Sequence, residues 1–213
     1  MRRSSPLQNR VDPYGALFRT PARGTLMGNR GGVIHNDARE IVRRYASRRW
    51  IACVLEFKGR RRVVMSPRRY TELFFLDEAV ALAAGHRPCA ECRRERYNAF
   101  RRAWNPEHPP GADEMDEVLH PARVDRQGRK VTWQSPLPML PNGAFIEFDG
   151  APWLVWGDTL ALWTSEGYTG RIARPPDGMA TVLTPQPIAE CLRAGYAPMV
   201  HPSFPIDAVT LHV

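Results

Sequence analysis

From residue 143 onward the chain repeats one pattern, in which short apolar segments alternate with two-residue turn signals. "GAFIEF" runs into Asp149-Gly150, "APWLVW" into Gly157-Asp158, and "TLALWT" and "MATVLTP" follow. Segments this short suit strands better than helices, and Gly beside Asp supplies the left-handed backbone that tight hairpins need. The pattern predicts an antiparallel meander over 143–213 that closes into a small barrel or packs as a sheet. "PIAECLRAGY" adds a short terminal helix, so the expected fold class is α+β.

The first half is organised differently. Residues 1–33 are rich in Arg, Gly and Pro, and "RGTLMGNRGG" (23–32) has no hydrophobic period, which predicts an irregular arm. "DAREIVRRYASR" (37–48) places Ile41, Val42 and Tyr45 on one helical face. "WIACVLEFKGRRRVVM" reads as a hairpin turning at Lys58-Gly59, with Cys53 across from about Val64. "FFLDEAVALAAG" (74–85) reads as a helix capped by Asp77 and stopped by Gly85. A second helix is expected to begin around Pro88 to Cys92 and to run through "RRERYNAFRRAW", with Tyr97, Phe100 and Trp104 packed inward. Residues 34–104 form one module in this reading. The proline-rich stretch 105–142 reads as a linker or excursion before the C-terminal strands.

The formal charge is +8, and Lys58 and Lys130 are the only lysines, so the positive charge is almost all arginine. The arginines crowd into 40–104. Arginine's planar fork matches phosphate oxygens in pairs, so Arg62, Arg87, Arg93, Arg94, Arg96 and Arg101 are candidate nucleic-acid contacts, DNA before RNA. A solvated basic surface is the competing reading. No stretch reaches the roughly 18 uncharged apolar residues of a membrane span, and the start has no apolar core like that of a signal peptide, so a cytoplasmic location is expected.

Four cysteines, 53, 89, 92 and 191, are too unevenly spaced for a disulfide framework. Cys89 and Cys92 stand three apart at an expected helix start, where the helix dipole and nearby arginines favour thiolates. Two thiolates are half of a tetrahedral zinc site. Cys53 is a candidate third ligand, and His86, His120 or His35 a candidate fourth.

"ELFFLDEAVALAAGHRPCAECRR" resembles the second half of the N-terminal zinc domain of the Ada family of DNA methylphosphotriester repair proteins, and the hairpin segment sits where that domain has its hairpin. The resemblance covers about 48–95. It implies a small zinc-organised α/β module that touches DNA, with Cys89 and Cys92 as metal ligands. That family carries two further cysteines on the strand after the hairpin turn, one of them the methyl acceptor; here that strand reads "RRRVVMSPRR", so methyl-acceptor activity is not expected.

Two enzymatic readings compete. Pro-Cys-x-x-Cys also occurs in zinc deaminases, but His35 is followed by Asn36 and Asp37, and the glutamate such chemistry needs is missing. A dithiol redox centre needs only the two thiols. In the second half, Trp153, Trp156, Trp163 and Tyr168 are either core or a stacking surface for bases, with Trp153 and Trp156 on opposite strand faces. His120 and His201, with Asp116 or Ser203, carry no nucleophile motif and read as structural.

Overall fold

The computed structural model describes residues 5–60 and 63–204. Among these residues, two six-stranded sheets and four α-helices make an α+β fold, without a closed barrel. None of the described helices is long and apolar enough to cross a membrane.

The first sheet is built from β1 (Arg10–Val11), β2 (Leu17–Phe18), β3 (Leu26–Arg30), β4 (Trp50–Val54), β5 (Leu73–Phe75) and β6 (Arg87–Pro88), in the order β2-β1-β5-β3-β4-β6. The arm expected to be irregular therefore supplies three strands. Its glycines serve close packing: a Cβ on Gly28 would stand 2.1 Å from the Ile51 carbonyl oxygen, and one on Gly24 would stand 1.7 Å from that of Phe75. β3 pairs antiparallel with both β4 and β5 and so occupies the centre of the sheet.

The hairpin expected after β4 does not form. Lys58 and Gly59 do take left-handed conformations, at φ 52° and 65°, but no described residue between β4 and β5 is in a strand. Both edges of β4 are already filled, by β3 on one side and by parallel β6 on the other. The helix expected over 37–48 is also replaced, by a turn. The Asn36 side chain accepts from the Glu40 amide at 2.9 Å, Arg39 goes left-handed at φ 62°, and Ile41 bridges back to His35. Asn side-chain bonding of this kind competes with a helix for the same backbone donors.

Two helices follow the sequence reading closely. α1 (Glu78–Ala83) is capped by Asp77, whose carboxylate accepts from the Val80 amide at 2.9 Å. It ends at Gly85 (φ 83°), with the His86 amide returning to the Ala81 carbonyl. α2 (Arg94–Trp104) buries Tyr97 and Phe100. The stretch expected to be a linker contains α3 (Ala112–Arg123), with Met115, Asp116, Leu119 and Arg123 buried, followed by strand β7 (Trp133–Pro136). Its proline-rich ends concealed an amphipathic middle.

The second sheet is the expected meander. β8 (Phe145–Phe148), β9 (Ala151–Trp156), β10 (Thr159–Thr164) and β11 (Gly167–Ala173) pair consecutively, and β12 (Met179–Val182) inserts between β8 and β7. α4 (Gln186–Arg193) closes the described elements and ends as α1 does, at a left-handed glycine, Gly195 (φ 98°). One apolar core runs through both sheets, joining Leu73, Phe75 and Val80 to Phe145, Leu154 and Tyr168. A second, of Phe100, Met115, Leu119, Ile188 and Tyr196, is assembled by α2, α3 and α4. The Tyr168 hydroxyl donates to Asp77 at 2.7 Å, tying the second sheet to the cap of α1.

Candidate metal centre

Cys53 lies on β4, Cys89 directly after β6, and Cys92 in the turn leading into α2. β4 and β6 run parallel with Ile51 opposite Arg87 and Ala52 opposite Pro88, so one further residue along each chain brings Cys53 and Cys89 side by side. The Cys89 amide donates to the Ala52 carbonyl at 2.9 Å and extends that pairing. The three sulfurs all lie within 4.8 Å of one another. Cys53 thus joins the pair through β6, while its own partner on β3 is Met27.

The surroundings favour a thiolate at Cys89. Hydrogen bonds from the thiols of Cys53 and Cys92, with the backbone amides of Cys92 and Glu91, lower its pKa despite partial burial. The Glu91 amide reaches the Cys89 sulfur at 3.4 Å. The same contacts, seen from Cys53, push that thiol up, because losing its proton would put a second negative charge against Cys89 and Cys92 in a half-buried place. A bound cation reverses this balance by favouring all three thiolates. The cluster could hold a metal ion, and an all-sulfur set suits soft or borderline ions such as zinc.

The cysteines also line a cleft of about 440 Å³. Met27, Ile51, Phe57, Tyr70 and Phe74 contribute to its walls. Glu72 also lines it, and its buried carboxylate accepts from the Met65 amide at 2.7 Å. At the rim, Arg60 and Glu91 form an ion pair at 2.9 Å. These residues had no signal in the sequence, because the segment after Lys58 comes near the cysteines only once it fails to make a hairpin.

No histidine joins the three cysteines among the described residues. His86 is fully buried between the rings of Trp50 and Phe75, with centroids 5.1 and 4.7 Å away, and accepts from Arg30 Nε at 3.4 Å. Burial and the charges of Arg30 and Arg123 hold its pKa well below the usual value. The turn at Gly85 aims it into the core, whereas the chain swings back toward the cysteines only two residues later. His35 contacts Thr71 at 2.6 Å, and His120 packs on Tyr45.

The candidate nucleic-acid arginines are largely engaged inside the protein. Arg87 pairs with Asp116 at 2.7 Å with both side chains buried, and Arg93 pairs with buried Glu78 at 3.0 Å. Arg96 reaches the other Glu78 oxygen at 2.9 Å, and Arg101 donates to the carbonyls of Pro109 and Pro110. Arg94 alone of this set is exposed, and Arg62 lies outside the described residues. α2 packs against α4 and β6 and sends Arg96 to Glu78 at the start of α1, so the helix read as a phosphate-facing surface keeps Arg94 and Arg102 exposed and turns Arg96 and Arg101 to intramolecular partners.

The aromatic set of the second sheet is structural. Trp153 packs on Phe148 and Trp156 on Phe204, on opposite faces of β9, while Trp163 meets Phe18 edge-on and Tyr168 is buried. His201 Nδ1 and the Ser203 hydroxyl lie 2.8 Å apart, but that oxygen also accepts from the Tyr168 amide, which makes it part of a turn. Comparisons with known family models, curated proteins and solved structures returned no match for this chain.

Proposed function

We propose that Cys53, Cys89 and Cys92 hold zinc as a three-thiolate centre whose fourth position opens onto the adjoining cleft, in an Ada-like module that lacks the methyl acceptor. The observation that carries this reading is the convergence of three sulfurs from separate elements within 4.8 Å, at the wall of a 440 Å³ cleft. Structural zinc sites close all four positions with protein donors, whereas sites that exchange ligands keep one open. Bound there, zinc acts as a Lewis acid toward whatever donor the cleft admits. The protein's own part is selection. Phe57, Tyr70 and Phe74 favour an apolar or aromatic body, and the Arg60–Glu91 pair frames the entrance.

The test is metal content by mass spectrometry on protein prepared without added zinc, for wild type and for Cys53→Ser, Cys89→Ser, Cys92→Ser and Cys191→Ser. About one zinc per chain in wild type and in Cys191→Ser, lost in the other three, is the expected result. Metal-free wild type with a Cys89–Cys92 disulfide after mild oxidation overturns it in favour of the dithiol redox reading.

Nucleic-acid binding stands as a second proposal, on another part of the arginine-rich stretch 40–104. Arg43, Arg44, Arg48 and Arg49 are all exposed along one loop. An affinity for DNA that falls steeply with salt, and falls again when these four are changed to Ala, supports it; a flat salt dependence removes it.

A further inference from the structure

On the face of the first sheet away from the cysteines, a second cleft of about 440 Å³ is lined by Arg30, Arg123 and Lys130, with Trp50, Tyr14 and Ile41. The two guanidinium carbons lie 4.2 and 4.4 Å from the centre of the Trp50 ring. Arg30 and Arg123 are buried, at 3% and 1% exposure, yet among the described residues neither forms an ion pair with a carboxylate, and nor does Lys130. Their hydrogen bonds go to neutral groups: Arg30 to the Gly15 carbonyl and to His86 Nε2, Arg123 to the carbonyls of Gly85 and Arg48 and toward His120 Nδ1, and Lys130 to the Ala83 carbonyl. Arg123 Nε is buried and has no hydrogen-bond partner among the described residues. Elsewhere the same fold meets this need with an acid, as Glu78 does for Arg93 and Asp116 for Arg87.

Buried cations without a countercharge are costly, and a protein that keeps three together commonly supplies the missing anion as a ligand. Asp12 acts on both Arg30 and Lys130, but its side chain is held by the Ala16 amide at 2.8 Å, and Asp116, which acts on Arg123, is already paired with Arg87. Arg30, Arg123 and Lys130 against Asp12 leave about two positive charges unbalanced when Lys130 is protonated and about one when it is not. A phosphate ester carries about −1.5 to −2 near neutral pH and offers three acceptor oxygens, the complement that paired guanidinium donors fit. Tyr14, Leu17, Ile41 and Val124 give the lining an apolar part, Gln8, Arg44 and Arg129 add polar and basic groups, and the cleft has room for more than phosphate alone. Arg44 arches over the rim to donate to the Gly128 carbonyl at 2.5 Å, and so links the basic loop to the turn that carries Lys130.

We propose that this cleft is an anion site that binds the phosphate group of a small phosphorylated molecule through Arg30, Arg123 and Lys130, with the organic body against Tyr14, Leu17 and Ile41. The site is separate from the cysteine cluster and does not depend on the metal.

Calorimetric titration of the full-length protein at low ionic strength with AMP, inorganic phosphate and adenosine tests it. AMP is expected to bind, and adenosine to bind at least about tenfold more weakly. Inorganic phosphate weaker than AMP identifies a phosphate ester as the ligand class, and phosphate equal to AMP identifies the free anion. Lys130→Met is expected to lower AMP affinity at least about tenfold, while Lys130→Arg keeps most of it. In the absence of ligand, Lys130→Met should unfold at the same temperature as wild type or higher, since it removes an uncompensated cation from a ligand site. No heat with AMP or phosphate at millimolar concentration overturns the proposal. So does a Lys130→Met protein that binds AMP as wild type does, or one that is clearly less stable without ligand, since that marks Lys130 as a structural clamp.

Discussion

The amide of Cys89 donates to the carbonyl of Ala52 at 2.9 Å, and that one bond places Cys53 beside Cys89. It extends the parallel pairing of β4 with β6, so sheet register fixes Cys53 against Cys89, while Cys92 joins them from the turn before α2. With metal bound, Cys53, Cys89 and Cys92 should resist thiol reagents, and Cys191, buried on α4, should resist them for a different reason. A colorimetric thiol assay on native protein is therefore expected to count close to zero, rising to three after a strong chelator and to four after denaturant. Three reactive thiols before chelation would contradict a metal-loaded cluster.

Arg87 and Asp116 form a bidentate pair between β6 and α3, with Nε and Nη2 reaching the two carboxylate oxygens at 3.1 and 2.7 Å. Both side chains are at most 4% exposed. Asp116→Ala leaves a buried guanidinium without its partner and should cost about 3–5 kcal/mol in urea unfolding. Replacing both together, Arg87→Met with Asp116→Leu, should cost far less than the single change, because no orphaned charge remains. Equal losses in the single and double variants would mean that the packing of α3, and not the charge, sets the energy.

What could be read from the sequence was what is decided locally. Asp149 and Gly150 (φ 49° and 71°) make their turn wherever they are placed, and Asp77 and Gly85 bound α1 with bonds to residues within a few positions. Cys89 and Cys92 were legible for the same reason. The failures were decisions taken at a distance. Nothing near "WIACVLEF" announces that both of its edges will be occupied, by residues 26–30 and 87–88. His86 adjoins the cysteine motif in sequence, but the left-handed Gly85 turns it into the core. Arg30, Arg123 and Lys130 of the second cleft come from β3, α3 and the segment before β7, and only the fold brings them together.

Gly24 looked like a loop residue and is a packing residue. A methyl group there would stand 1.7 Å from the Phe75 oxygen and 2.9 Å from the Leu76 nitrogen, both backbone atoms that no rotamer can move aside. Gly24→Ala should push the chain entering β3 off β5 and cost at least about 3 kcal/mol. Gly150→Ala makes a useful contrast: its φ is 71°, but nothing lies within 4 Å of the new carbon, so only the left-handed strain of about 1 kcal/mol is expected. Urea midpoints for the two variants check the order, and a Gly150→Ala loss equal to that of Gly24→Ala would refute this account of the arm.

Lys130 gives the second cleft a pH signature. Burial, with the charges of Arg30 and Arg123 opposing the pull of Asp12, lowers its pKa from the ordinary 10.5 to about 7. Between those values the unfolded chain holds a proton on Lys130 that the folded protein has released, so unfolding takes up a proton and stability rises with pH across that window. Other groups turn over near its upper end, since Tyr168 and Tyr196 are raised by burial beside Asp77 and Glu78 respectively, which makes pH 7 to 9 the range to examine. Wild-type protein should gain stability over that range relative to Lys130→Met, whose curve lacks this contribution. Binding of a phosphate ester should run the other way, because an anion beside the ammonium favours its protonated form, so affinity should weaken as pH rises from 7 to 9. Chemical denaturation at both pH values, with and without AMP, measures the two effects on one sample. Parallel curves for wild type and Lys130→Met would show that Lys130 keeps its ordinary basicity, and would remove the uncompensated charge on which the pH dependence rests.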